Sequence, residues 1–555
     1  MGITLPGASR PSFIMRLPIL RFLLVAISLL VFFTLLSQSD AVADHLRPNF
    51  HPPTAVHHTQ RPPPKEGASQ LTPTQHAGDF KLNCQPEMSH LKEIAQRYKL
   101  DSRFQYSKRY VRFTRTAGLK RQSMTHIKQK LIPDKTSFRT IDLSKTPSGS
   151  NECLEPLDLP VPESGYPHTV NASDFMFGVS TTYKRFMDQH TSPINEWVFW
   201  LTDSRGNSNG GKLLLLLLDA TNEQLQEVAN LLGDVGIDVD VFKSDSKQEM
   251  AVRYLTLVPT LYTHKEAQTK KWLVTCDDDT FFPSMHGLME KINSYDHTRE
   301  MYIGTLSEDV GAVGRHGSQA FGGAGVFISL PLAKRITALY SSCTSPQKIR
   351  ESNTGWGPQG DILLRKCIYE NTETRLTNVW DLWQLDILGR PEGFYEWGIK
   401  PLSIHHYRGG GWHDAKPGAM AKVALTCGED CTLMRFQTED DFIVSGYSVA
   451  HYPSGITFDT KQAEGTFHAA PDDYGWNLDF MFGPLRPSLL LTGRKISWEL
   501  QEAALQSDGS ILQTYVRHKN DNRWSKNGKP MSNIDGVIEL VWIPSADAAE
   551  SKSSV

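Results

Sequence analysis

The sequence predicts an α/β domain on a mostly parallel sheet, followed by a β-rich second domain for which a sandwich is expected. Three observations carry this. Between Phe175 and Cys276 short apolar runs alternate with amphipathic stretches, the pattern of strands buried on both faces and separated by helices. After about Lys416 the helical stretches give way to short segments divided by Gly, Pro, Asn and Asp. At 555 residues the chain exceeds one ordinary core and has room for two, plus tails. Its hydrophobic fraction of 39% and charged fraction of 21% are those of a globular protein. A formal charge of -3 leaves no electrostatic footprint for a nucleic-acid partner. No repeat of fixed period is visible, which argues against a solenoid or propeller.

In chain order, Arg10, Arg16 and Arg21 precede or enter an apolar run that ends at Leu36. Counted from Leu17 the run has about 20 residues, roughly 30 Å of helix, enough to span a bilayer if Arg21 snorkels. Residues 1–16 are then a cytosolic tail and 17–37 a transmembrane signal anchor. Positive charge before the span, with Asp40 and Asp44 after it, orients the rest into the lumen, as in a single-pass type II protein of the Golgi or ER membrane. Ala41-Val42-Ala43 resembles a processing site, so cleavage and secretion is the alternative. Residues 38–80 are rich in Pro, His, Gln and Thr and read as a flexible stem. Residues 81–165 read as a partly ordered stem extension: Met88 to Leu100 has a helical pattern, whereas the basic stretch Lys108 to Lys130 has no clear period.

The α/β domain is expected over 166–415. Phe175 to Val179, Trp197 to Leu201, Lys212 to Leu218, Gly236 to Phe242 and Trp272 to Cys276 are its short apolar runs. Thr221 caps a helix running to Leu232, and a helix-like stretch from Lys247 is stopped by Pro259. The β-rich domain is expected over 416–546, before a disordered tail at 547–555. Its strands are Phe442 to Tyr447, Trp476 to Phe482, Leu489 to Leu491, Ile496 to Leu500, Ser510 to Val516 and Gly536 to Trp542.

A luminal location gives the seven cysteines meaning, because disulfides persist there. The spacing suggests Cys343 with Cys367, Cys427 with Cys431 and Cys84 with Cys153, while sequence alone does not fix the connectivity. Cys276 is left as a buried thiol within a strand. Asn171-Ala172-Ser173 is a glycosylation sequon.

The chemistry concentrates at Asp277-Asp278-Asp279. Three carboxylates directly after a buried strand cannot be packed away unpaired. Strand alternation projects Asp277 and Asp279 together and turns Asp278 away. Two carboxylates on one side make a hard oxygen site suited to Mn²⁺ or Mg²⁺ carrying a diphosphate. A solvated acidic turn capped by Thr280 is the bland alternative for a bare acidic triplet. In open α/β sheets the carboxyl ends of strands are where ligands sit, and the triplet occupies such an end.

The triplet in its context, Lys271 to Phe282, resembles the metal-binding motif of the Fringe-like β-1,3-glycosyltransferases, most nearly their fungal and plant relatives of the DUF604 type. Further blocks agree in order over about residues 170 to 415. Phe177 to Thr182 with Arg185 resembles the nucleotide-binding strand and loop, and Tyr302-Ile303-Gly304 with Phe321 to Ser329 the glycine-rich acceptor-side segment. Gly360-Asp361 followed by Cys367 resembles the acidic motif, and Pro401 to His406 the terminal histidine motif.

The resemblance implies a GT-A fold, Rossmann-related and nucleotide-sugar-binding, with a UDP-sugar donor, Mn²⁺ (or Mg²⁺) and inversion at the anomeric carbon. It assigns metal binding to Asp279, Asp277 and His406, with His405 as the alternative because neighbours on an extended segment face opposite ways. Asp278, Ser180, Thr181 and Arg185 fall on the donor side, with Asp203 and Arg253 as further candidates. Gly322, Gly323 and Gly325 form the acceptor-side loop. Asp361 is the base; many relatives carry two adjacent acids where this chain has Gly360-Asp361, and a capping role is the alternative for it. Trp383, Trp397 and Trp412 are candidates to stack on sugars. The implied function is transfer of a hexose from a UDP-sugar to a glycan or glycoprotein hydroxyl in a β-1,3 linkage. A non-catalytic lectin-like protein on the same fold is the alternative. A metal-dependent phosphatase or nucleotidyltransferase ranks last, for want of a nucleophile motif or P-loop.

Overall fold

The computed structural model describes residues 55–57, 80–134, 137–145, 153–468 and 479–545. The expected anchor at 17–37 and most of the stem lie outside them, and among the described residues no helix is long and apolar enough to cross a membrane.

An eight-stranded sheet forms the α/β domain, in the order Ala55–His57, Asp238–Ser244, Lys212–Leu218, Phe175–Thr182, Trp272–Cys276, Val326–Ser329, Tyr302–Gly304, Leu376–Asn378. The four strands from Asp238–Ser244 to Trp272–Cys276 are mutually parallel, with Met176 opposite Lys212 and Val179 opposite Cys276. Val326–Ser329 runs antiparallel to both neighbours. This is a mixed α/β sheet of the Rossmann-related kind, covered on both faces. The leucine strand shows why: Leu213, Leu215 and Leu217 enter one core, and Leu214 and Leu216 the other. The helices Met250–Thr263, Leu330–Cys343 and Gly360–Asn371 cover one face, and Ile194–Leu201, Asn222–Asp234 and Met285–Asn293 the other.

Thr221 caps its helix in a full capping box with Gln224. Two expectations in this domain fail. Trp197 to Leu201 is part of a helix, since five apolar residues carry no period of their own. Pro259 lies inside the helix Met250–Thr263 without stopping it, because Leu255, Leu257, Val258 and Leu261 are buried in the core and hold the last turn. Ala55–His57, expected within the flexible stem, pairs antiparallel with Asp238–Ser244 as the edge strand.

The second region is one ten-stranded sheet rather than two facing layers. Phe436 and Trp542 lie on strands well separated in that sheet, yet their rings are 6.3 Å apart, so the sheet curls onto its own contents. Its inner face merges with the core of the α/β domain, and the helix Met88–Arg97 covers part of the other face through Leu91 and Ile94. These layers take the place of the expected second sheet. The segment expected as a stem extension supplies Arg103–Thr116, which pairs with Gly536–Pro544, Arg139–Asp142 and Leu157–Pro162. Its period is hidden because Arg109 is buried among Tyr106, Tyr110, Val111 and Phe113, its guanidinium donating to the Glu155 carbonyl. Asp479–Phe482 is a helical turn where a strand from Trp476 is expected, and 471–478 lie outside the described residues. Leu489 to Leu491 is likewise not a strand.

Disulfides join Cys84 to Cys153, Cys343 to Cys367 and Cys427 to Cys431, and Cys276 is free and buried. Cys343–Cys367 ties the last residue of the helix Leu330–Cys343 to the body of the helix Gly360–Asn371, across a separation of 24 residues. Its removal by Cys343→Ala with Cys367→Ala is expected to cost about 3 kcal/mol. Calorimetry without reductant should then show the α/β transition several degrees lower.

Candidate active site

The strand Trp272–Cys276 delivers the aspartates to the carboxyl edge of the sheet, and the turn after it is fixed by hydrogen bonds. The Asp277 N–H donates to Thr280 Oγ1 (3.0 Å), whose hydroxyl donates to the Gly323 carbonyl (2.7 Å). Phe281 then pairs with Ile404 through two backbone bonds of 2.9 Å. That pairing sets the phase of the histidines. His405 turns towards the aspartates, with Nε2 3.1 Å from Asp279 Oδ1 and 3.4 Å from Asp277 Oδ2. At His406 the chain enters the left-handed region (φ 58°), which directs that ring elsewhere. The group that could hold a metal is therefore Asp277, Asp279 and His405, whose candidate ligand atoms lie within 4.8 Å of one another. His406 is outside it: its Nδ1 is 3.1 Å from Asp386 Oδ1, and its ring lies between those of His405 and Trp412.

The electrostatics fit a cation. Burial alone would lower the His405 imidazole, but Asp279 and Asp277 beside it prevail and raise it to about 10. Burial would raise Asp279, and the same histidine holds it well below the usual carboxylate range. Two carboxylate oxygens and an imidazole nitrogen are a donor set of the kind Mn²⁺ accepts. Asp278 faces the other way, accepting from the Thr181 hydroxyl and from Arg185 Nε at 2.6 Å. Arg185 also lies 3.6 Å from Asp279.

The glycines of the acceptor-side loop have separate reasons. A Cβ on Gly323 would sit 2.1 Å from the His405 ring, and one on Gly322 would sit 2.6 Å from the Tyr254 hydroxyl. Gly325 has φ +93°. Gly323→Ala is expected to push His405 out of line and to weaken Mn²⁺ binding by tenfold or more (about 1.4 kcal/mol or more), measurable by calorimetric titration of a variant that still folds.

Asp361 lies in the first turn of the helix Gly360–Asn371, at the same sheet edge. Burial raises its carboxyl to about 6 against the Ile362 N–H, with Asp277 and Asp386 adding to the rise. A second acid at position 360 is blocked sterically, since a Cβ on Gly360 would lie 2.4 Å from that of Tyr254. Tyr254, one residue past the expected Arg253, thus fills the space between Gly322 and Gly360 while its hydroxyl meets Thr275 Oγ1 at 3.2 Å.

Other expected residues are not brought together with this group. Arg253 donates to the Gln248 carbonyl. Asp203 caps its own turn, accepting from the N–H groups of Arg205 (2.8 Å) and Asn207 (3.0 Å) near the amino edge of the sheet. Ser180 occupies the carboxyl end of its strand beside Thr181. Trp383 is core, packed on Phe394 and Phe482, and Trp397 packs beside it. Asn171 is exposed, its carboxamide oxygen accepting from the Ser173 N–H. A second acid-histidine group, Asp240, His264 and Glu266, sits around Lys212 Nζ, which is 3.2 Å from Asp240 and 3.8 Å from Glu266 and already supplies the positive charge.

Asp386 and Glu308, which no sequence motif marks, also lie beside His406. Ser307 Oγ donates to Asp386 Oδ2 (2.6 Å), and Glu308 Oε2 accepts from the Asp386 N–H (3.3 Å). Burial, reinforced by Asp386, raises the Glu308 carboxyl to about 8. Both lie in loops, Glu308 after the strand Tyr302–Gly304 and Asp386 well past Leu376–Asn378.

Residues 217–390 match the family model described as Fringe-like. The curated relative "Beta-1,3-N-acetylglucosaminyltransferase lunatic fringe" of Danio rerio is 25% identical over 211 residues, covering 35% of this chain. The chain spans about half the length of that relative, 51%. Among solved structures, mouse xyloside xylosyltransferase 1 aligns at 13% identity and TM-score 0.23, over 34% of this chain and 78% of that one. A mannosyltransferase from Pyrobaculum calidifontis, in complex with GDP-Man and Mn²⁺, aligns at 12% identity and TM-score 0.24, over 37% and 55%.

Proposed function

We propose, from a chain that carries a Fringe-like domain over residues 217–390, that it is an inverting, metal-dependent glycosyltransferase moving a hexose from a UDP-sugar to a glycan or glycoprotein hydroxyl. The observation that carries the reading is the meeting of Asp277, Asp279 and His405 with Asp361 at one sheet edge. Asp277, Asp279 and His405 would hold Mn²⁺ or Mg²⁺, which when bound supplies positive charge for the diphosphate leaving group. Arg185, tied to Asp278, keeps a guanidinium on the donor side. Gly322 and Gly323 make room for Tyr254 and for the His405 ring beside this site. Asp361 takes the proton of the acceptor hydroxyl as that oxygen attacks the anomeric carbon from the face opposite UDP, which inverts its configuration. A β-1,3 product, a type II anchor at 17–37 and a Golgi or ER lumen belong to the same reading. The disulfides support a non-reducing compartment.

The test is UDP release and product formation by the full-length chain in detergent, across a panel of UDP-sugars and glycan acceptors, with Mn²⁺ or EDTA. Metal-dependent transfer from one donor is the expected result. Mn²⁺–UDP binding without transfer from any donor would instead favour a lectin-like role.

A further inference from the structure

Asp386 and His406 meet under unusual backbone conditions. Leu385, which precedes the carboxylate, has φ 58°, and His406 also has φ 58°. Non-glycine residues in this region are uncommon and concentrate where the surroundings impose a functional geometry. Here two of them deliver one contact, His406 Nδ1 at 3.1 Å from Asp386 Oδ1. The carboxylate is fixed from its other side by Ser307 Oγ (2.6 Å), and its N–H donates to the buried Glu308 (3.3 Å). The imidazole is fixed from both faces, with ring centroids 3.8 Å from His405 and 4.2 Å from Trp412, the latter within 6° of parallel.

Nδ1 and Asp386 Oδ1 lie at ion-pair distance without hydrogen-bond geometry, and the negative charge beside Nδ1 favours the proton there, which leaves Nε2 as the acceptor. The His406 side chain keeps 16% of its surface exposed and that of Asp386 10%. The pair thus keeps part of its surface open to solvent. It stands between the metal-ligand group, which His406 touches through His405, and Asp361, whose charge Asp386 senses.

We propose that Asp386 and His406 form a sugar-hydroxyl site beside the base: Asp386 positions the imidazole, and His406 Nε2 accepts a hydrogen bond from a hydroxyl of the sugar being transferred or of the acceptor. The inference rests on the transferase reading and goes beyond it by removing His406 from the metal and giving it to a sugar. Gly360 leaves no second acid next to Asp361, and Asp386, from a segment 25 positions downstream, supplies the additional carboxylate of this side of the site.

The test uses the full-length chain with Asp386→Asn, Asp386→Ala and His406→Gln, and the double variant Asp386→Ala with His406→Gln. Mn²⁺–UDP affinity is measured by calorimetry, and kcat and both KM values with the donor and acceptor that wild type uses. Each single variant is expected to lose about 10- to 100-fold in kcat/KM. Mn²⁺–UDP affinity stays near wild type, which also shows that the site is folded. Asp386→Asn, which keeps the shape beside Nδ1 but not the charge, retains more activity than Asp386→Ala, and the double variant is no worse than His406→Gln. A rise in donor KM assigns the hydroxyl to the transferred sugar, and a rise in acceptor KM assigns it to the acceptor. Loss of Mn²⁺–UDP binding in His406→Gln, or wild-type kinetics in all variants, overturns the proposal. If wild type transfers from no UDP-sugar, the transferase reading itself has failed. The pair is then judged by the ratio of UDP-hexose to UDP affinity, and a ratio unchanged in His406→Gln overturns it too.

Discussion

Asp361→Asn is expected to lower kcat by about 10²- to 10⁴-fold while Mn²⁺–UDP affinity stays near wild type. The amide is isosteric and keeps the packing of the first helical turn, but it cannot take a proton from the acceptor. The same carboxyl gives the pH dependence its sign. Its pKa of about 6 exceeds the ordinary 3.8, so the basic form is lost, and rate with it, as pH falls through about 6. A cation at Asp277 removes part of the repulsion that raises the value, so the acidic limb with saturating Mn²⁺ lies at or below 6. Stability runs the other way. A carboxyl raised in the folded state favours the fold below its unfolded pKa, and that contribution is lost as pH rises through 6. At pH 7.5 the charged group therefore costs the fold on the order of 1–3 kcal/mol. The asparagine variant, nearly inactive, should melt higher than wild type at that pH, and a lower melting point would count against a desolvated base.

Asp279→Ala is expected to abolish metal-dependent UDP binding and to reduce transfer to the limit of detection. Asp279 is the acid most tightly engaged with His405, at 3.1 Å, and its side chain keeps 14% of its surface exposed where that of Asp277 keeps 45%. Without it His405 loses the partner that holds up its affinity for positive charge, and Arg185 loses one of its two acids. Calorimetric titration of UDP with and without Mn²⁺ checks this directly. Asp277→Ala, which removes the more solvated oxygen, should be the milder of the two.

Much of this site was legible because its chemistry is written in contiguous runs. Trp272 to Cys276 followed by three aspartates fixes both a strand and the edge where it ends, and strand alternation separates Asp278 from its neighbours. The leucine run, the Thr221 cap and the Cys427–Cys431 pair are local signals of the same kind. What stayed hidden depends on partners distant in sequence. Whether His405 or His406 reaches the metal group is decided by the Phe281–Ile404 bridge, and no pattern within Pro401 to His406 reveals it. Tyr254 matters because two glycines far from it make room for its ring. Asp386 matters because Leu385 and His406 adopt left-handed backbone. The strand Arg103–Thr116 was obscured because a sheet covered on both faces tolerates a buried arginine that breaks the alternation.

The most direct test of the metal-centred account is anomalous diffraction at the manganese edge from crystals grown with Mn²⁺ and UDP. A single strong peak bonded to Asp279 and His405, with the diphosphate on the same peak and His406 still against Asp386, is the predicted result. A peak on His406, or on Asp240 and His264 at the other edge of the sheet, would contradict it.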